Sequence, residues 1–480
     1  MKTDYLSPES LRETSYRHAP IPPVNANTDY DDRNLRHLHR ASKLLRSATI
    51  VYFLVLMISA IGLFLANTLL IRAVFSSLGI ASLTGLICTV VPAQTYQLLI
   101  RPPIVAFMFV IVYSLIGLLP LSQYRDYVDR YFWLYNSTMA ISGFGIGALL
   151  SRIQLPTINL RGFQVISTSQ FNMLMIFNMF VGIAAAGMLL VSAGGAAFDP
   201  NARFGVSPLQ NVLIESQICA WAFLASSPLP LKGYKKGLLF LSIVSMLLAG
   251  YRNFFVFLLV TITWCRSLKS SNDGQQYYVP AGISIALFMI VSFLGLVYIY
   301  RGENGDGLNL RGSIAEHRLV AAEYLTPVIP FHIYAREGIG VAQVAHERRG
   351  DLYRYGDPST IYFTDILAML PGRDGDFGSM LGEVVNNSKT DTLTLSLPGG
   401  VLVGFGRFWI LPVFLIFGLV IGKLSRWAPA NAHPVDIASV VIFSVYFIGL
   451  TVKGYPKIAF LVMLLYVVFS KLFVSRRTYS

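Results

Sequence analysis

Five arginines fall where an apolar run ends or breaks. Arg203 closes the polar stretch Asp199-Pro200-Asn201-Ala202-Arg203. Arg252 sits in Gly250-Tyr251-Arg252-Asn253, Arg301 and Arg311 follow the apolar run that ends near residue 300, and Arg407 follows Gly404-Phe405-Gly406. A planar guanidinium offers two parallel N–H donors to a phosphate, so these residues suit a phosphate-bearing ligand at an apolar boundary. The competing reading is that each side chain snorkels to a lipid headgroup. Arg252 favours the functional reading, because a charge between two short apolar runs is costly without a partner.

Proton transfer needs a different set. His317, His332 and His346 lie within residues 301–397, among many arginines. A neutral imidazole in such company is a general base near neutral pH, and His317 is the first choice; an ordinary surface histidine is the alternative. Glu316, Glu323, Asp374, Asp376 and Glu383 are rival bases. The stretch from His317 through Glu323 lacks the two-histidine spacing of a zinc-binding helix, so no metal site is expected. Glu215 stands inside an apolar block, four residues before Cys219 and one turn after Asn211. An intramembrane carboxylate is either functional or bonded to a neighbour such as Asn211.

The elements that must position these groups follow from composition. The chain is 54% hydrophobic and 13% charged, about half the charge of a soluble domain, and its mean hydropathy is +0.57. The apolar residues gather in blocks of about 18–25, the length of a membrane-crossing helix. Continuous Leu/Ile/Val/Phe runs exclude the alternation of a barrel. Helices are expected at 48–68, 74–94, 103–121, 131–151, 171–193, 208–227, 237–250, 253–266, 279–300, 398–422, 435–452 and 457–474. The expected fold is therefore an all-α polytopic transmembrane bundle of about twelve helices with one large external loop.

The net charge of +13 would suit nucleic acid, but much of the excess lies in residues 1–46 and in short loops. Lys and Arg at 101, 152, 161, 232, 235, 236, 266, 269, 423, 426, 471, 476 and 477 mark the cytoplasmic side, with both termini there. No nucleic-acid partner is expected. Residues 1–46 read as a disordered cytoplasmic tail rather than a signal peptide, with Arg33 to Arg46 touching anionic lipid. Helices one to nine then occupy 47–300, the large loop 301–397, the last three helices 398–474, and a short tail 475–480. Within the loop, Glu316 to Ala335 reads as a helix kinked by Pro327 and Pro330. Ser359 to Leu370 reads as an amphipathic helix capped by Asp357. The loop is aromatic and apolar enough to fold over the outer mouth of the bundle. Cys88, Cys219 and Cys265 all lie in or beside apolar blocks and offer no disulfide framework.

One block carries a family resemblance. It runs Ile361-Tyr362-Phe363-Thr364-Asp365-Ile366-Leu367-Ala368-Met369-Leu370-Pro371-Gly372-Arg373. Gly399-Gly400-Val401-Leu402-Val403-Gly404-Phe405-Gly406 follows, and then the apolar stretch from Trp409 to Gly422. This resembles the end of the outer loop in bacterial oligosaccharide repeat-unit polymerases, the O-antigen and exopolysaccharide polymerase family. The Gly250-Tyr251-Arg252 break is similar to that family's hairpin, and Arg301 followed by Gly312 matches a spacing seen in some members. Two features depart from the pattern: Gly372 is inserted before Arg373, and Ser396-Leu397-Pro398 stands where Thr-Pro is usual.

The resemblance implies a fold like that of GT-C glycosyltransferases and a location in the bacterial inner membrane. It implies transfer of a glycan from undecaprenyl diphosphate to a sugar hydroxyl of the next lipid-linked repeat unit. The expected partners are the undecaprenyl-diphosphate-linked oligosaccharide, membrane lipid and a chain-length regulator; no cofactor is expected. Arg252, Arg301, Arg311, Arg203 and Arg407 would hold the diphosphate, and His317 would take the hydroxyl proton. Two alternatives stay open: a glycan ligase with another acceptor, and a lipid-linked glycan flippase or transporter.

Overall fold

The computed structural model describes residues 28–90, 95, 98–153, 166–192, 208–227, 233–248, 252–272, 282–293, 295, 318–320, 324–367, 376–388, 393–426 and 433–474. Among them the protein is all-α, with a single isolated bridge between Ile166 and Val474. The first eight helices are α1 (Thr28–Leu65), α2 (Leu69–Val90), α3 (Pro102–Ile116), α4 (Arg130–Leu150), α5 (Thr168–Ser192), α6 (Pro208–Ser226), α7 (Gly233–Leu248) and α8 (Arg252–Asn272). The short helix α9 spans Gly282–Phe293. Then come α10 (Ile329–Glu347), α11 (Arg349–Leu352), α12 (Pro358–Ile361), α13 (Thr364–Leu367) and α14 (Phe377–Asn386). The last four are α15 (Leu397–Phe405), α16 (Ile410–Arg426), α17 (Pro434–Lys453) and α18 (Ile458–Phe473).

Five segments among the described residues are long and apolar enough to cross a membrane: Ser42–Leu65, Leu69–Thr89, Ser169–Val191, Arg407–Arg426 and Pro434–Lys453. Five shorter apolar helices accompany them, including Pro102–Ile116 and Val212–Ser226. Helix α17 is the hub. It is the most enclosed of the five, 83% of its apolar window being buried, and α3, α6, α8, α16 and α18 pack around it. The tightest pair is α4 with α16. A Cβ on Gly147 would stand 2.9 Å from the Leu415 carbonyl carbon, so the two backbones touch as small residues permit in membrane helix pairs.

The bundle has two unlike ends. At one, the last turns of α8, α16 and α18 carry Lys269, Lys423, Arg426 and Lys471. Here Lys471 pairs with Asp436 at the start of α17, and Lys423 Nζ donates to the Ile153 carbonyl at 2.9 Å. The other end is capped by the described parts of the segment between Tyr324 and Phe405. Helix α10 clamps the loop after α3. Arg336, 2% exposed, donates to the carbonyls of Tyr124 (3.1 Å) and Gly117 (3.2 Å). His332 Nδ1 donates to the Ile116 carbonyl at 2.8 Å, and its Nε2 accepts from the Ser122 hydroxyl at 2.9 Å.

Several sequence expectations are corrected. The first helix begins at Thr28, inside the segment read as a tail. The helix expected over 398–422 is two. Gly406, with φ +96, ends α15, and after the turn Arg407–Trp409 α16 starts afresh. Only glycine takes such a φ without strain. The loop helix placed at 316–335 is Ile329–Glu347, because Pro330 occupies its first turn rather than kinking it. Of the helix expected over 359–370, residues 368–370 lie outside the described residues, and the rest is two single turns, α12 and α13; Asp357 does cap the first, accepting from Ser359 N at 2.8 Å.

The two ends give a direct test of orientation. Reporter fusions at Lys269 and Lys423 are expected to read cytoplasmic, and one at Gly350 external; an external signal at Lys269 would reverse the bundle.

Candidate functional site

The sequence candidates separate. Arg203, Arg301, Arg311 and His317 lie outside the described residues, as do Glu316, Glu323 and Asp374. Asp376 caps α14, accepting from Gly378 N at 3.1 Å and from Ser379 Oγ at 3.0 Å. Glu383 pairs with Arg354 at 3.5 Å. His332 is committed to its two clamp bonds, and burial together with Arg336 holds its imidazole below the ordinary range against the opposing Ile116 bond. It is a structural residue. Arg407 lies over the rings of Phe132 (4.5 Å) and Tyr135 (5.5 Å) at the side of the bundle.

Apart from Glu215, the charge that converges at the centre comes from residues that the sequence does not single out. The short turn between α17 and α18, Lys453-Gly454-Tyr455-Pro456-Lys457, brings two lysines to the capped end. Its shape is set by Gly454, whose left-handed φ of +83 terminates α17. It is pinned from the cap, since Leu395 N donates to the Lys453 carbonyl at 3.1 Å. Lys457 reaches Asp365 on α13 at 3.7 Å, and the same carboxylate accepts from Phe377 N at 3.0 Å. Burial pushes the Asp365 carboxyl up, with Lys457 pulling the other way.

Glu337 on α10 completes the group. It is half-buried and lies within electrostatic reach of Arg125 and Lys453. Burial pushes its carboxyl above the ordinary glutamate range, and those two cations only partly offset this. Below, toward the membrane interior, Glu215 on α6 neighbours Tyr446, Lys453 and Lys457. The site therefore alternates sign: Arg125, Glu337, Lys453, Glu215, Lys457, Asp365.

No protein-family model matches the chain, and comparisons with characterised proteins and with solved structures return no match either. The reading of the site therefore rests on its geometry and on the motifs themselves.

Arg125 links the interior to the surface. It is a non-glycine residue in the left-handed region, φ +49, a conformation that costs energy and clusters at functional positions. Its side chain crosses the face of α10 at Gly340, where a Cβ would stand 3.1 Å from the Arg125 Cβ. Its guanidinium donates to the Tyr127 hydroxyl at 2.7 Å. Beyond it opens a cleft of about 480 Å3 lined by Arg125, Tyr127, Gln343, Glu347 and Arg348.

Arg252 enters through register. A Cβ on Gly449 would stand 3.0 Å from Phe257 Cζ, which sets antiparallel α8 against α17. Arg252 precedes Phe257 by five residues and Lys453 follows Gly449 by four, rises of about 7.5 and 6 Å. The backbone of Arg252, the first residue of α8, is thus level with the lysine turn, and the unpaired N–H groups that open a helix also favour an anion there.

The described parts of the block that carries the resemblance form the floor of this site. Tyr362 packs beneath Gly400 and Gly404, its ring 5.3 Å from that of Phe405. A Cβ on Gly400 would fall on the Gly454 carbonyl, 2.8 Å from its carbon.

Proposed function

We propose that the chain is a membrane glycosyltransferase of the bacterial inner membrane. It joins lipid-linked oligosaccharide repeat units by moving a glycan from undecaprenyl diphosphate to a sugar hydroxyl. One observation carries the reading beyond the motifs: a carboxylate, Glu337, with its proton affinity raised by burial, lies within electrostatic reach of both Arg125 and Lys453 at the end of an apolar helical bundle. That is the level at which lipid phosphates meet helix ends.

The groups match the needs of the reaction. The acceptor oxygen attacks the anomeric carbon, and its proton passes to the Glu337 carboxylate acting as general base. The bond from that carbon to the diphosphate oxygen breaks, and its electron pair leaves with undecaprenyl diphosphate. Lys453 and Lys457, with Arg252 at the rim, stabilise the charge that develops there. The cleft beyond Arg125 gives a sugar chain an approach from the aqueous side. About twelve crossings with both termini cytoplasmic belong to this proposal, as does a chain-length regulator as partner. A ligase would use the same groups with a different acceptor. A flippase needs charge along its whole path. Between Glu215 and the basic end, α6 carries no charged residue, and α17 carries none from Ile437 to Val452.

The test is complementation of a strain lacking the chain. The empty strain is expected to accumulate single repeat units on lipid; long unattached polymer would instead indicate a ligase. Arg252→Ala should fail to restore polymer at normal protein level, and Arg252→Lys should remain strongly impaired, since it keeps the charge and loses the fork. The expected loss is on the order of a hundredfold or more. Normal polymer from Arg252→Ala would return this arginine to the snorkelling reading.

A further inference from the structure

A second cluster, two arginines and a histidine whose imidazole burial and the arginines hold below its ordinary range, lies at the side of the capped end, apart from the lysine turn. His346 is at the end of α10, Arg349 opens α11, and Arg407 is in the turn after Gly406. Phe132 on α4 is a platform for two of them: the Arg407 guanidinium carbon stands 4.5 Å from its ring centre and the His346 ring 6.1 Å. Arg349 Nη2 donates to the Gly404 carbonyl at 3.1 Å. Two acids are close, and both are already engaged. Glu347 accepts from Gln343 Nε2 at 3.0 Å, and Asp357 accepts from Ser359 N at 2.8 Å. Arg407 makes no ion pair among the described residues.

Two features point to an anion arriving from the bilayer. Among the described residues, the buried Arg349 Nε and His346 Nδ1 have no hydrogen-bond partner. Buried polar atoms of this kind are rare and costly, and an acceptor oxygen would satisfy them. Around the cluster the surface is aromatic and exposed: Phe408 at 88%, Tyr131 at 87%, Trp409 and Tyr135 at 55%. Tyr and Trp gather where headgroups begin. Helix α16 then descends from the cluster as a membrane-length apolar segment, with Ile416 facing outward.

We infer that Arg407, Arg349 and His346 form a binding site for the phosphate of an anionic membrane phospholipid, with Phe132 beneath Arg407 and His346 and the acyl chains lying along α16. Positive groups, orphaned donors and an aromatic rim share one lateral face that opens to lipid. The site is separate from the one proposed for the reaction and stands whether or not that reading holds.

The test uses the full-length purified protein in neutral detergent, with phosphatidylglycerol and phosphatidylcholine titrated and bound lipid counted by native mass spectrometry. Arg407→Gln is expected to bind phosphatidylglycerol about tenfold more weakly than wild type, the loss of one charge-assisted contact. Arg407→Lys should keep most of the affinity, and phosphatidylcholine should bind all forms alike. Arg318→Gln, an exposed arginine elsewhere on the cap, should match wild type. If Arg407→Gln fails to assemble, His346→Gln carries the test, with several-fold weaker binding expected. The inference is overturned if the variants bind phosphatidylglycerol as wild type does, or if Arg318→Gln loses as much. Stoichiometric displacement by undecaprenyl diphosphate would also overturn it, by assigning the site to a lipid-linked donor.

Discussion

Glu337→Gln is expected to cut polymer formation by about a hundred- to ten-thousandfold, the usual contribution of a general base, while folded protein reaches the membrane in normal amount. The amide keeps the shape of the carboxylate and removes its proton affinity. The pH dependence should carry the same signature. Burial raises the Glu337 carboxyl, so the carboxylate needed for the reaction forms only above the ordinary glutamate range of about 4.3. Wild-type activity should therefore fall as pH drops through a value above that range, and the residual activity of Glu337→Gln should lose this limb. Stability moves the other way. A folded-state pKa above the unfolded one gives stability that is fully present below the unfolded pKa and is lost as pH rises through the folded one. At neutral pH the variant escapes that loss, so its thermal midpoint should equal or exceed that of wild type. Wild-type polymer from Glu337→Gln would remove Glu337 from the chemistry. A lowered midpoint would instead mark it as a structural partner of Lys453.

The sequence revealed the helices and hid the site, for different physical reasons. Crossing an apolar medium requires long unbroken apolar runs, so α2, α5 and α17 are visible in hydropathy alone. The break at Gly406 is less visible: Gly404-Phe405-Gly406 also fits a continuous helix with small residues, and only the backbone reveals a φ that ends one. The loop helix was misplaced because Pro330 can kink a helix or open it, and the sequence does not distinguish these. The charged centre was missed because its members come from five stretches: Arg125, Glu215, Glu337, Asp365 and the Lys453–Lys457 turn. Only Glu215, a lone carboxylate in an apolar block, stands out in its own neighbourhood. A second signal was present: two lysines in a five-residue turn on the side that the lysine and arginine bias marks as poor in positive charge. The fork of arginine suits phosphate, yet Arg203, Arg301 and Arg311 lie outside the described residues, Arg407 stacks on Phe132 and Tyr135, and Arg252 has its backbone level with that turn.

Gly400→Ala is expected to lower stability by about 1–3 kcal/mol, the range for overpacking a tight contact, and to abolish most activity. The added methyl has nowhere to go. It would fall on the Gly454 carbonyl, and the Tyr362 ring stands 3.0 Å away on another side. Neither neighbour yields cheaply. Gly454 holds the left-handed conformation that ends α17, and a Cβ there would itself collide with the Leu395 carbonyl. Helix α15 must therefore back away from the lysine turn, drawing on the Leu395-to-Lys453 bond that pins it. A shift of about 1 Å in groups positioned for reaction can cost on the order of a hundredfold in rate, so Lys453 and Lys457 need only move slightly. Gly187→Ala is the matched control, since nothing lies within 4 Å of a Cβ at that position on α5; it should leave polymer unchanged. The measurement is polymer length on gels beside thermal unfolding of the purified variants. Loss of stability with normal polymer from Gly400→Ala would show that the turn tolerates displacement, and would move the reacting groups away from Lys453 and Lys457.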